Sequence, residues 1–252
     1  MGSQTKITNN YKEITCLGYN IFVDDLSVIP LDKKIVLNTI NQYSYCIAEK
    51  DGEFRDALAQ SDILLPDGVG IVLAVKLFTG IKIKKIAGAT AHKHLLSELN
   101  KKSGRCFYLG SSLNTLNKIE ERLATEHPNI TAKFYSPPYK PKFNEKDNEL
   151  ILDIINSFKP DVLFVGMTAP KQEKWAYEFK NKLDVNVICS IGAVFDFYAG
   201  TVKRPRKFWI RLGLEWFIRL LKEPKRMSKR YLRYGPFFIY MILKKYYQIK
   251  SS

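Results

Sequence analysis

The stretch ILLPDGVG (63–70) sets an acid, Asp67, between an apolar run and a glycine. Pro-Asp-Gly is turn chemistry, because proline presets φ, Asp closes an Asx-turn and glycine accepts positive φ. A carboxylate presented by such a turn can also take the proton of an attacking hydroxyl. A second stretch, GMTAPKQEKW (166–175), puts Pro170 near a helix start and Lys171, Gln172 and Glu173 in its first turn. A first-turn Glu or Gln often completes a capping box. A lysine there opposes the helix dipole unless an anion is present. In a third, YLGSSLNTLNKIEERL (108–123), the loop Gly110-Ser111-Ser112 opens a helix. Its backbone N–H groups suit a phosphate, and its serines suit an N-cap. It is neither a GxGxxG loop nor a Walker lysine motif.

Metal chemistry finds little footing. His92 and His94 stand at i, i+2, which points them to different faces, and both are expected at the surface or partly packed. His127 precedes a proline, and no HExxH or GxSxG motif occurs. Asp161 and Asp196 are the remaining acids considered for a metal, but no DxD pair is present, so no metal and no cofactor is expected. Cys16, Cys46, Cys106 and Cys189 form no CxxC pair. They read as reduced core thiols of a cytosolic protein.

The elements that must hold these residues alternate. Short β-rich runs predict strands over 34–37, 62–65, 106–109, 131–135, 161–165 and 185–190. Helical patterns fall over 69–78, 91–100, 113–126, 145–158 and 172–183. The runs CFYL and VLFV are apolar throughout, as in strands buried on both faces of a parallel sheet. The fold expected is α/β, Rossmann-like and doubly wound, with a mostly parallel sheet. Such sheets bind ligands beyond the carboxyl ends of their strands. Thr39 and Asn41, Asp67, Gly110 to Ser112, and Gly166 to Gln172 each follow a predicted strand, which gathers them around one cleft.

Charge divides the chain. From Lys203 onward there are fifteen Lys/Arg against Glu215 and Glu223, a balance of +13, whereas the first 202 residues hold 25 bases against 23 acids. The expected organisation is an α/β catalytic domain over 1–202 and a basic, amphipathic helical appendage over 203–252. Arg211, Glu215, Arg219 and Lys222 recur on one helical face, with Trp209, Trp216, Phe217 and Leu220 opposite. That pattern suits a membrane interface or another polyanion. No apolar run approaches the roughly 20 residues of a spanning helix, and residues 1–10 lack the apolar core of a signal peptide. No nucleic-acid reader motif occurs. A membrane-surface or nucleic-acid binding module with an inactive body would need only the appendage, and would leave the cleft residues unexplained.

Five linked stretches carry a family resemblance. Thr39-x-Asn41, PDGVG (66–70), GMTAPKQEKW (166–175), IGAVFDFYAGTVKR (191–204) and GLEWFIRLLKEPKR (213–226) are similar, in order and spacing, to the WecG/TagA/CpsF glycosyltransferases, glycosyltransferase family 26. The resemblance spans about residues 15–234. It implies inverting, metal-independent transfer from a UDP-sugar to a polyprenyl-diphosphate-linked saccharide during cell-surface polysaccharide assembly. The donor sugar implied is N-acetylmannosamine, its uronic acid, glucose or glucuronic acid. The enzyme would work peripherally on the cytoplasmic membrane face, with a homo-oligomer left open. Asp67 takes the role of base, with Thr39, Asn41 and Gln172 at matching active-site positions. Gly110, Ser111, Gly166, Pro170 and Lys171 would line the substrate site, and Arg219, Arg226 and Arg230 of a covering appendage would hold the lipid diphosphate. Two positions depart from the family pattern. Lys85 stands where an arginine is common, keeping charge but losing bidentate geometry. Gly88-Ala89-Thr90 replaces a frequent Gly-x-Asp, which leaves the donor sugar open.

Overall fold

The computed structural model describes residues 5–8, 11–202, 208–209, 215–222 and 224–251. Six parallel strands form the centre: β4 (Ile35–Ile40), β5 (Ile63–Pro66), β6 (Arg105–Gly110), β7 (Thr131–Tyr135), β8 (Val162–Gly166) and β9 (Val187–Ser190). They lie in the order β5-β4-β9-β8-β6-β7. β1 (Thr5–Thr8), β2 (Tyr11–Cys16) and β3 (Tyr19–Phe22) make a separate antiparallel sheet, unexpected from sequence. The two sheets meet where the Tyr11 hydroxyl donates to the Asp62 carbonyl.

The period-2 alternation of strands explains the continuous apolar runs. Val162 and Phe164 of β8 join one core with Cys106 and Tyr108 of β6, while Leu163 and Val165 join the opposite core with Phe107 and Leu109. The first face is covered by α4 (Gly88–Lys101), α5 (Leu113–Glu126) and α8 (Gly192–Tyr198), through Leu95, Ile119 and Phe195. The second is covered by α6 (Glu145–Phe158) and α7 (Lys171–Phe179), through Ile155, Trp175 and Phe179. A third core, beside β4 and β5, gathers α1 (Gln42–Ala48), α2 (Gly52–Ala59) and α3 (Val69–Thr79).

Several expectations shift. β4 runs to Ile40, so Thr39 lies within the strand and not beyond it. α4 begins at Gly88 and α7 ends at Phe179, three residues earlier and four residues sooner than periodicity suggested. His92 is not at the surface: it is 2% exposed, its Nε2 lies 2.8 Å from the Tyr108 hydroxyl, and its ring packs edge-on against Phe164 and Tyr198. Burial lowers its pKa to about 3, so it is a neutral core residue. All four cysteines are buried and free.

Beyond the sheet, α9 (Glu215–Lys222) and α10 (Pro224–Ser228) lead through a π-helical turn (Lys229–Arg233) into α11 (Tyr234–Lys250). α11 is anchored on α1. The Phe238 ring stands edge-on to Tyr45, and Lys245 Nζ reaches the Tyr45 hydroxyl at 2.7 Å and Glu49 at 3.1 Å. Among the described residues no helix is long and apolar enough to cross a membrane.

Candidate active site

The carboxyl ends of β4, β5, β8 and β9 open onto one cavity of about 250 Å³. Thr39, Asn41, Asp67, Ser111, Gly166 and Gln172 line it, and Arg230 reaches it from the C-terminal segment. The sheet reverses its winding between the adjacent strands β6 and β8, because β6 leads outward to β7 and β8 leads the other way to β9, and Ser111 and Gly166 at their ends line the cavity.

Asp67 is fixed by backbone on both sides. Its N–H donates to the Ile40 carbonyl at 2.9 Å, tying the Pro-Asp-Gly turn to the end of β4. Its Oδ2 accepts from the Gly88 N–H at 3.4 Å, so the carboxylate sits at the N-terminus of α4, where the dipole favours negative charge. Asn41 caps α1: its Oδ1 accepts from the N–H groups of Tyr43 and Ser44, and Ser44 Oγ accepts from the Asn41 N–H. The Asn41 oxygen therefore serves the helix.

Gly110 and Gly166 meet as register partners on β6 and β8. Gly110 has φ of 108°, and a Cβ there would stand 2.6 Å from the Gly166 carbonyl oxygen. Only glycine fits that crossing, which brings Ser111 to the cavity while Ser112 Oγ caps α5 by accepting from the Thr115 N–H.

α7 supplies a hydrogen-bonded pair. Gln172 Oε1 accepts from the Gly192 N–H at 3.1 Å, and Gln172 Nε2 donates to Glu173 Oε1 at 2.8 Å. Gly192 has to be glycine, since a Cβ would lie 2.5 Å from Gln172 Oε1 and 2.4 Å from the Met167 carbonyl. Gln172 thus clamps α7 to the first residue of α8. Glu173 is 2% exposed, and its Oε2 has no hydrogen-bond partner among the described residues. Burial raises its pKa to about 7, against the hydrogen bond from Gln172 and the charge of Arg230, which pull it down. The Arg230 guanidinium lies 4.6 Å from the Tyr43 ring centre, a cation held at the cavity by a π face.

Four expected residues do not line this cavity: Gly110, which stands behind Ser111, and Pro170, Lys171 and Lys85. Lys171 Nζ donates to the Lys140 carbonyl at 2.5 Å and lies 3.5 Å from the Phe143 ring centre. With Pro170 it lines a separate cleft beside Trp175. The turn of chain before α6 thus meets the cation that the helix dipole disfavours. Lys85 lines a third, shallow groove with Lys12, Lys82 and Lys84. The side chains of Arg219 and Arg226 lie outside the described residues. Asp161 is at the amino ends of the strands, where Oδ2 accepts from the Arg105 N–H, whereas Asp196 lines the cavity. Among the described residues no group of three or more His, Cys, Asp or Glu could hold a metal ion.

The family profile described as "Glycosyl transferase WecG/TagA/CpsF family" matches residues 9–252. The chain belongs to the WecG/TagA/CpsF glycosyltransferase family. Among its relatives, the N-acetylglucosaminyldiphosphoundecaprenol N-acetyl-beta-D-mannosaminyltransferase of Bacillus subtilis is 34% identical over 210 residues, 82% of this chain and 80% of the relative. The protein of the same name from Bacillus spizizenii is 31% identical over the same shares. The one from Staphylococcus aureus (strain MW2) is 27% identical over 199 residues, 79% of this chain and 76% of that one. The cavity of this glycosyltransferase also holds residues not expected at the site from sequence: Tyr43, Gly192 and Glu173. Glu173 was visible only as a helix-capping candidate, because nothing in KQEKW announces which of its residues is buried.

Proposed function

We propose that the enzyme transfers a sugar from a UDP-sugar, with inversion, to the saccharide of a polyprenyl-diphosphate-linked acceptor, as a step of cell-surface polysaccharide synthesis. The observation that carries this reading is the Asp67 carboxylate, set at the cavity by two backbone hydrogen bonds on the end of β5. In an inverting transfer Asp67 takes the acceptor hydroxyl proton while that oxygen attacks the anomeric carbon. The C–O bond to UDP breaks in the same displacement. General-base help of this kind is worth roughly 10²–10⁴-fold. Thr39 and the Asn41 Nδ2 donor stand on the same wall and orient sugar hydroxyls. Charge growing on the leaving diphosphate is met by Arg230, with no metal required, and electrostatic stabilisation in such a cavity is stronger than in water. Gln172 acts by holding the first turn of α8 in place.

The named activity of the Bacillus and Staphylococcus relatives supports an acceptor of the N-acetylglucosaminyl-diphosphoundecaprenol type. The donor sugar in this reading is N-acetylmannosamine, its uronic acid, glucose or glucuronic acid. Work on such an acceptor puts the protein on the cytoplasmic face of the membrane as a peripheral enzyme, with residues 203–252 as the covering, acceptor-binding part. An inactive binding module would give no reason for a carboxylate, a clamped glutamine and an arginine around one cavity. The test is a panel of UDP-sugars with a synthetic polyprenyl-diphosphate saccharide, read as UDP release and product stereochemistry. One donor should give a product inverted at the anomeric carbon. Retention of configuration, or no transfer with any donor, would sink the reading.

A further inference from the structure

The third helix of the domain body has an exposed apolar face that its sequence conceals. α3 reads VGIVLAVKLFT, apolar almost all round, as a buried helix would. Yet Leu73 is 59% exposed, and Val69 and Leu77, one turn to either side of it, are exposed as well. This stripe abuts a second one on α11. The two helices run parallel, with Gly70 against Phe238 and Phe78 against Tyr246. Gly70, Ala74 and Phe78 form the α3 side of the seam, and Phe238, Ile242 and Tyr246 the α11 side, each at i, i+4, i+8. One step outward from the seam come Leu73 and Leu77 on α3, and Ile239, Leu243 and Tyr247 on α11, all exposed. The two stripes therefore form one continuous apolar surface, larger than the single scattered residues expected on a water-facing protein.

Charge decides what fits it. Neither helix contains an acidic residue, while Lys76, Lys244 and Lys250 are exposed on them. A second copy of this face would bring like charges together. An anionic lipid surface complements it, with tyrosines and lysines rimming the apolar residues as at membrane interfaces. We propose that α3 and α11 form one platform that lies on an anionic phospholipid bilayer, so that the catalytic domain itself, and not only its basic tail, docks on the membrane. The platform begins at Val69, two residues beyond Asp67, which puts the base beside the lipid surface. This rests on the lipid-linked acceptor proposed above.

The test compares the full-length enzyme with Leu73→Gln/Leu77→Gln and with Lys76→Gln/Lys244→Gln/Lys250→Gln. Each is measured for sedimentation with phosphatidylcholine vesicles with and without phosphatidylglycerol, and for transfer to a water-soluble, short-chain prenyl-diphosphate saccharide. Loss of two leucine contacts should weaken vesicle binding roughly tenfold or more. The lysine variant should show a weaker preference for phosphatidylglycerol, the remainder coming from the other basic residues beyond Lys203. Circular dichroism and transfer to the soluble acceptor should stay at the parent level for both. Vesicle binding by the leucine variant equal to the parent's would overturn the proposal. So would a dimer that the leucine variant dissociates while vesicle binding persists. Should the leucine variant fold poorly, the lysine variant still decides, because unchanged phosphatidylglycerol dependence contradicts the platform. If no transfer occurs even in the parent while vesicle binding follows the expected pattern, the reaction assigned above fails and the platform stands.

Discussion

Consecutive residues of α7 face two different hollows. Gln172 and Glu173 are buried against the Asp67 cavity, whereas Lys171, Lys174 and Trp175 line the cleft beside Phe143. In the cavity, Asp67 and Gln172 each accept from a backbone N–H, and Gln172 donates to the buried Glu173. In the cleft, charges are neutralised locally: Lys174 pairs with Asp51 at 2.8 Å and Glu53 at 3.0 Å, and Lys171 lies on a carbonyl and a ring. A helix turns about 100° per residue, so a short motif on it serves two environments. The cavity has the arrangement of a reaction site, and the cleft has that of a surface held together by ordinary contacts.

Substitutions on the two sides should separate accordingly. The largest effect is expected at Asp67: Asp67→Asn should keep its circular dichroism spectrum yet lose about 10²–10⁴-fold in turnover. Turnover near the parent rate would move the base elsewhere. Gln172→Ala removes the partner of the Gly192 N–H and the donor to Glu173, and should lower kcat about tenfold to a hundredfold by misplacing α8. An effect confined to thermal stability would mean that the clamp is structural only.

Glu173 sharpens the contrast through pH. Its folded-state pKa is raised from 4.5 to about 7, so the folded state holds a proton that the unfolded chain releases. That contribution is present in full below about pH 4.5 and is lost as pH rises through about 7, on the order of 3 kcal/mol in total. Glu173→Gln should therefore flatten the fall in Tm between pH 5 and 8, and an unchanged slope would place the proton on another group. The smallest effect belongs to the cleft: Lys171→Gln/Lys174→Gln should cost about 1 kcal/mol or less in stability and leave kcat within about twofold of the parent. A large loss of activity there would mean that the cleft takes part in the reaction.

The sequence made the centre of the fold readable because buried parallel strands write themselves as apolar runs, and α5 and α6 carry both clear periodicity and a capping side chain, Ser112 and Asn144. The elements missed are short. α1, α2 and α8 have seven or eight residues each, too few for a periodic pattern to rise above its flanks. Asp67, Thr39, Asn41 and Gln172 line one cavity, as chain order suggested, because each lies near or just beyond the carboxyl end of a strand. Lys171 and Lys85 do not, since charge type says nothing about the direction in which a side chain leaves its loop. The burial of Glu173 and the exposure of Leu73 were equally hidden. Both depend on what packs from distant parts of the chain, the α8 turn in one case and α11 in the other.

The central claim, that the donor occupies the Asp67 cavity and not the cleft on the other face of α7, is tested most directly by hydrogen–deuterium exchange with and without UDP. Protection is expected over 166–169 and 191–193, the segments that line the cavity, with no change over 141–143 of the cleft. Protection over 141–143, with the cavity segments unaltered, would contradict the account.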